Sequence, residues 1–324
     1  MSKIYGKPII LGGGGKSASN GTKWEKSNVQ SGTFNTVYNA NGLWVVGGNN
    51  SLYYSEDGKL WVPSDISPGT IQDIYNANGL WVLISLSGLW YSTDGKIWGK
   101  SNIPGNLKSI YNYNGIWVTG GRNGLWYSAD GKSWNQTNLD TIIVNTIYAA
   151  NGLWITGNNN GLYYYSEDGK SWERASSGLK STMNSVYYFN GLWVNGTSSG
   201  IGFSSDGKFW EASNISAGTF NTVYAANGIW VAGGDSGIWY SNAGDYWEQS
   251  NVDSGVFYFI YNAAGIWVAG GDSGLYYSTD GKIWAQSNIS SGAFNTIYNA
   301  NGIWVAGGEN GLYYSVTWEP KKEV

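Results

Sequence analysis

Residues 34–61 read FNTVYNANGLWVVGGNNSLYYSEDGKLW, and this stretch decides the fold. It divides into short apolar and aromatic runs separated by turn chemistry. Residues 34–38 form a first strand, ended by the turn 39–42. Residues 43–46 form a second, followed by the turn 47–50, and residues 52–55 a third. The Asp57-Gly58 turn then leads to a fourth strand around Trp61. Runs of this length, rich in Val, Tyr and Trp and bounded by Asn-Gly and Asp-Gly, are the signature of antiparallel hairpins, because such turns need residues that tolerate positive φ.

The same pattern fills the chain. Gly-(Leu/Ile)-Trp-(Val/Ile) occurs eight times, with its Gly at 42, 79, 115, 152, 191, 228, 265 and 302, so the step is 36 to 39 residues. Ser-x-Asp-Gly-Lys-x-Trp follows in six of these units, ending at Trp61, Trp98, Trp134, Trp172, Trp210 and Trp284. A seventh copy carries Ala243 in place of the Asp, and the last, from Ser315 to Trp318, has lost the turn. All 20 Trp fall at repeat positions, which points to packing rather than to scattered ligand platforms. Four antiparallel strands every ~40 residues describe the blade of a β-propeller. The expectation is an all-β, single closed propeller domain over 1–324, with units near 1–27, 28–64, 65–101, 102–137, 138–175, 176–213, 214–250, 251–287 and 288–324. The first unit is worn. Ile4-Tyr5 stands for its first strand, residues 9–13 for its second, and Asn20-Gly21 with Trp24 for its last hairpin. Counting it gives nine blades, the favoured number. The alternative is eight, with the segment around Trp24 supplying the outer strand of the last blade.

The Ser-x-Asp-Gly-Lys-x-Trp segments resemble the Asp-box, or BNR repeat, of sialidase-type propellers. That resemblance implies a structural role for Asp57, Asp94, Asp130, Asp168, Asp206 and Asp280, whose carboxylates would accept backbone N–H groups across their own turns. The Lys after each Gly reads as a solvated rim, and the turn at Ala243 as the weakest. Sialidases of that family hold the substrate carboxylate with three Arg. This chain has only two, Arg122 and Arg174, which excludes that activity.

Composition removes other classes. With no His and no Cys, neither a Ser-His-Asp nor a Cys-His site can be built, and His or thiolate zinc centres and disulfides are absent. The net charge of −4 argues against nucleic acid as a partner. MSKIYGKPII lacks the apolar core of a secretory signal, and no run approaches the ~18–20 apolar residues of a membrane span. The default expectation is therefore a cytoplasmic monomer without membrane insertion.

Two columns of the first strand would face a central channel. One reads Asn35, Gln72, Lys108, Asn145, Asn184, Asn221, Tyr258 and Asn295; its amides could bind polyols there, but the favoured reading is that they satisfy neighbouring backbone groups. The next has Asp73 as its one acid. A glycosidase needs two carboxylates, so no catalytic residue is assigned, and no cofactor or metal is expected. A third column, in the turn after the second strand, varies most. Asn49, Arg122, Asp235, Asp272 and Glu309 are its candidate ligand-binding residues. The reading is a non-enzymatic, lectin-like propeller with repeated weak glycan sites made useful by avidity. The alternative is a protein-interaction or structural scaffold with no small ligand. The near identity of units such as 34–48 and 294–308 implies recent amplification or deliberate design.

Overall fold

The computed structural model describes residues 21–161 and 163–316. The chain is an all-β, eight-bladed propeller of four-stranded antiparallel blades. In blade 1, strands Phe34–Ala40, Leu43–Gly48, Ser51–Ser55 and Val62–Pro63 (A to D) run outward from the centre. Blades 2 to 7 repeat this, and blade 5 adds a parallel fifth strand, Ser176–Ser177, beside its own Phe209–Ala212.

The nine-blade expectation is wrong, and the reason lies in blade 8. Its strands Phe294–Ala300, Ile303–Gly308 and Gly311–Ser315 take their outer partner from the opposite end of the chain, Trp24–Lys26, with Trp24 opposite Ser315 and Lys26 opposite Tyr313. Trp24 does there what the fourth-strand Trp does in blades 5 to 7. Its indole donates to Gly21 O at 2.8 Å, as that of Trp284 donates to Gly281 O at 3.1 Å. The Asn288 amide clips its backbone, receiving from Trp24 N at 2.7 Å and donating to Trp24 O at 2.9 Å. Asn28, Asn138, Asn214 and Asn251 clip Trp61, Trp172, Trp247 and Trp284 in the same way. The degenerate ends of the sequence are thus two parts of one blade. Residues 4–13, counted in the worn unit, and Trp318 lie outside the described residues.

Each first strand carries a β-bulge. Phe34 faces Gly48 and Thr36 faces Gly47, leaving Asn35 as the extra residue, and the irregularity recurs at 72, 108, 145, 184, 221, 258 and 295. The channel column read from the sequence is therefore the bulge column. A bulge re-aims its side chain, and the amides use this to join blades. Asn35 Nδ2 donates to Ile71 O, Asn184 to Phe220 O, Asn221 to Phe257 O and Asn295 to Phe34 O, at 2.9 to 3.1 Å. Opposite the bulge only glycine fits at 48, since a Cβ there would overlap the Thr33 carbonyl oxygen.

The core is a continuous set of buried aromatics and aliphatics. At its centre Tyr38, Tyr75, Tyr111, Tyr148, Tyr187, Tyr224, Tyr261 and Tyr298 meet in succession with centroids 4.8 to 6.1 Å apart, and Tyr298 meets Tyr38 at 5.0 Å. Each also sits edge-on to the second-strand Trp of the following blade, from Tyr38 with Trp81 to Tyr298 with Trp44, at 5.8 to 6.2 Å. Such pairs add ~0.5–1.5 kcal/mol beyond area burial.

The six Asp-Gly turns share one hydrogen-bond scheme. Asp57 Oδ1 accepts from Lys59 N and Leu60 N, both at 2.8 Å, and from Ser55 Oγ at 2.9 Å. Asp94, Asp130, Asp168, Asp206 and Asp280 do the same at 2.7 to 3.1 Å. Backbone donation from Ile97 and Lys96 holds the Asp94 carboxyl below the usual carboxylate value of 3.8. At the degenerate turn Ser241 Oγ still accepts from Gly244 N at 2.7 Å, but Asp245 reaches only Tyr246 N, at 2.8 Å.

Two outcomes follow. Trp267 is 1% exposed and edge-on to Tyr224, so Trp267→Ala should cost ~3–5 kcal/mol in denaturant unfolding, the range for emptying a large aromatic site. Restoring the degenerate turn motif of blade 6 with Ala243→Asp and Asp245→Lys should stabilise the protein by about 1 kcal/mol. The gain has a defined pH window. A carboxyl whose folded pKa lies below its unfolded one contributes above the unfolded value and loses that contribution as pH falls through the folded one. The melting difference between the double variant and the parent should therefore be present at neutral pH and shrink as pH drops below 3.8, the ordinary Asp value.

Candidate functional site

The hairpins expose two rims. One bears the first-to-second-strand turns and the Asp-Gly turns. The opposite rim bears the second-to-third-strand turns and the loops into the next blade.

The five candidate ligand residues all lie on this opposite rim, exposed, each in its own turn. Their backbone amides are tied down alike. Asn49 N donates to Thr33 O, Arg122 N to Asn106 O, Asp235 N to Thr219 O, Asp272 N to Val256 O and Glu309 N to Ala293 O, at 2.9 to 3.1 Å. The backbone of these turns is thus held alike while the residue type at the position changes from blade to blade. The structure does not gather them into one site, since they belong to blades 1, 3, 6, 7 and 8. Among the described residues, no three carboxylates converge as a metal group would require.

Nearer the axis, Asp73 is 2% exposed, and its Oδ2 accepts from Ile110 N of the next blade at 3.3 Å. Hydroxyls at the equivalent position do the same: Thr296 Oγ1 to Val37 N, Ser109 Oγ to Ile147 N and Ser185 Oγ to Val223 N, each at 3.2 Å. Asp73 thus occupies a joint between blades. Burial pushes the neighbouring Tyr75 hydroxyl up to about 12, so it is neutral at physiological pH. Blades 3 and 4 depart from the amide pattern. Lys108 Nζ donates to Asn145 Oδ1 at 2.7 Å, and Asn145 Nδ2 donates to Asn159 Oδ1.

On the Asp-Gly rim, a pocket of about 210 Å³ opens between blades 4 and 5, lined by Asn151, Gly152, Leu153, Glu167, Trp193, Ser205 and Asp206. Its indole, Trp193, is 2% exposed and so offers no open face for stacking. The lysines of this rim are more than solvated. Lys59, Lys96, Lys132, Lys170, Lys208 and Lys282 each lie over a third-strand Tyr of the preceding blade, 4.7 to 5.7 Å from the ring centroid. Where Asp245 replaces the Lys, the column position equivalent to those tyrosines in the preceding blade is Phe203.

Sequence reading missed one column altogether. The residue between Lys and Trp in the turn motif is Leu60, Ile97, Phe209, Tyr246 or Ile283 in five blades, and these side chains are 66 to 73% exposed. Phe209, Tyr246 and Ile283 occupy successive blades 5 to 7, Leu60 and Ile97 blades 1 and 2, with exposed Lys23 between the arcs in blade 8. Ser133 and Ser171 complete the circuit in blades 3 and 4. The signal was the unspecified position of the motif itself, where large apolar residues recur just before the fourth-strand Trp.

No family model and no curated protein matches the chain. Solved propellers do. The computationally designed Ika8 protein is 10% identical with a TM-score of 0.74, over 91% of this chain and 99% of that one. Sqt1 of Saccharomyces cerevisiae is 11% identical with a TM-score of 0.69, over 93% and 100%. YCF48 bound to D1 peptide is 16% identical with a TM-score of 0.56, over 94% and 99%. At these identities the likeness is one of fold: this chain is an eight-bladed β-propeller that shares its architecture with designed and natural propellers alike.

Proposed function

We propose that the protein is a non-enzymatic interaction scaffold, a ring closed by its own N-terminal strand, whose Asp-Gly rim docks an apolar segment of a protein or peptide partner. The observation that carries this reading is the column Leu60, Ile97, Phe209, Tyr246 and Ile283. A single exposed apolar side chain is ordinary, but large ones at one equivalent position of successive blades form an apolar arc, and such surfaces mark interaction sites. The flanking lysines and the ion pairs Lys96–Glu56 at 3.0 Å and Lys208–Glu167 at 3.1 Å supply the polar border expected around such an arc. The structure of YCF48 with D1 peptide offers a precedent for peptide capture by a propeller. The absence of catalysis is inferred from the lone inner carboxylate, committed to a backbone N–H, in a chain without His or Cys. The turn motifs act, in this reading, as Asp boxes in the structural sense. Glycan binding finds less support, because among the described residues the second- and fourth-strand indoles are buried, and only Trp90, Trp126 and Trp239 of the third strands are partly open to solvent.

The test runs a glycan array and an array of apolar and amphipathic peptides in parallel, with the parent protein and a Phe209→Ser/Tyr246→Ser/Ile283→Ser variant of unchanged melting temperature. The expected outcome is peptide binding weakened by about tenfold or more in the variant, equivalent to losing ~1.4 kcal/mol of contact, and a blank glycan array. Glycan binding indifferent to the variant, or peptide binding that the variant leaves intact, would overturn the reading.

A further inference from the structure

Blade 3 differs from its neighbours at two equivalent positions at once. Its bulge residue is Lys108, where five of the other seven blades carry Asn, one Gln and one Tyr. Its second-to-third-strand turn carries Arg122, one of two Arg in the chain. The bulge brings the two positions together, because Leu107 pairs with Gly121 across the ladder. Lys108 points toward blade 4, where its Nζ donates to Asn145 Oδ1 at 2.7 Å. Asn145 in turn gives its Nδ2 to Asn159 Oδ1, so it does not make the bond to the next blade's backbone that Asn35, Asn184, Asn221 and Asn295 make. The Asn159 backbone is fixed by Thr182 Oγ1, which donates to its carbonyl at 2.9 Å.

From this we infer that Lys108 and Arg122, with the Asn159 amide, form a binding site for one oxyanion, a carboxylate or a phosphate. Three features support it. The acceptors of Asn145 and Asn159 are both engaged, which leaves the Asn159 Nδ2 protons and two of the Lys108 ammonium protons as donors. Among the described residues neither cation makes an ion pair with a carboxylate. Burial, and then the like charge of Arg122, lower the Lys108 pKa, so an anion between the two would relieve an existing repulsion. A planar guanidinium beside an ammonium and an amide matches the multiple acceptors of either oxyanion. The site lies on the rim opposite the apolar arc, and it stands or falls separately from the docking reading.

Amide chemical shifts of the ¹⁵N-labelled protein, titrated with sodium phosphate and separately with sodium acetate at constant ionic strength, test it. The expected result is a saturable change confined to residues around 108, 122, 145 and 159 with at least one anion, and the tighter of the two names the source. Arg122→Gln, at an exposed position where folding is not at stake, should weaken that response about tenfold, and Lys180→Gln, the loss of an exposed cation from the loop before Met183–Phe189 that removes the same charge outside the proposed set, should leave it unchanged. A linear, unsaturating response, or a saturable one unaffected by Arg122→Gln, would overturn the assignment.

Discussion

Everything in this molecule depends on one repeated contact, the edge-on meeting of an inner-strand tyrosine with the tryptophan of the following blade. Neither ring can be buried by its own blade, because a four-stranded sheet of this size has two faces and no second layer. Each blade is stable only through its neighbours, and the run of contacts must find a last partner. It does so where Tyr298 meets both Tyr38 and Trp44. The outer strand obeys the same requirement. In blade 8 the outer strand is the Trp24 strand, which carries the same Asn clip, from Asn288, that Trp61, Trp172, Trp247 and Trp284 receive.

Much of this was legible in the sequence, and the limits are physical. The hairpins could be read because Asn-Gly and Asp-Gly leave few backbone choices, and Asn41 and Gly42 do take positive φ, at 53° and 84°. The burial of the tryptophans could be read because equivalent positions in a repeat share an environment. The blade count could not, because a strand that crosses from one end of the chain to the other looks like a worn unit. The Ser/Thr-Asn-Ile/Val/Leu run after the fourth strand was the available signal. The other clips span 33 or 34 residues, whereas Asn288 is followed by Trp318 at a shorter step, and the partner it takes is Trp24.

The candidate sites were legible only as columns. Periodicity shows which residues are equivalent; it does not show whether they face solvent. The amides of the bulge column were read as satisfying neighbouring backbone groups or else lining the channel for a polyol; four of them bind the next blade's backbone, though the bulge that aims them there was not foreseen. The Lys of the turn motif was read as solvated, yet it covers a tyrosine ring across the blade boundary. The exposed apolar column escaped because its motif position is variable, and variability in a repeat protein is where the units stop obeying the fold. By the same logic the departures at Lys108 and Arg122 in blade 3 are the places where a nearly uniform ring has become locally asymmetric. The two rims thus differ in character: one presents apolar side chains over a cation–aromatic border, the other polar turns with rigid backbones.

The account stands on the outer strand of blade 8 coming from the N-terminal end. The chain contains no cysteine, so a Lys26→Cys/Tyr313→Cys variant would carry the only two, at positions directly opposite in the ladder. Mild oxidation followed by denaturing electrophoresis with and without reductant is the most direct measurement. The pairing predicts near-complete intramolecular disulfide formation, with faster migration that reductant reverses, and a folded state strengthened by several kcal/mol, since the link closes nearly the whole chain into one loop. Two thiols that stay reduced, or that crosslink only between molecules, would contradict it.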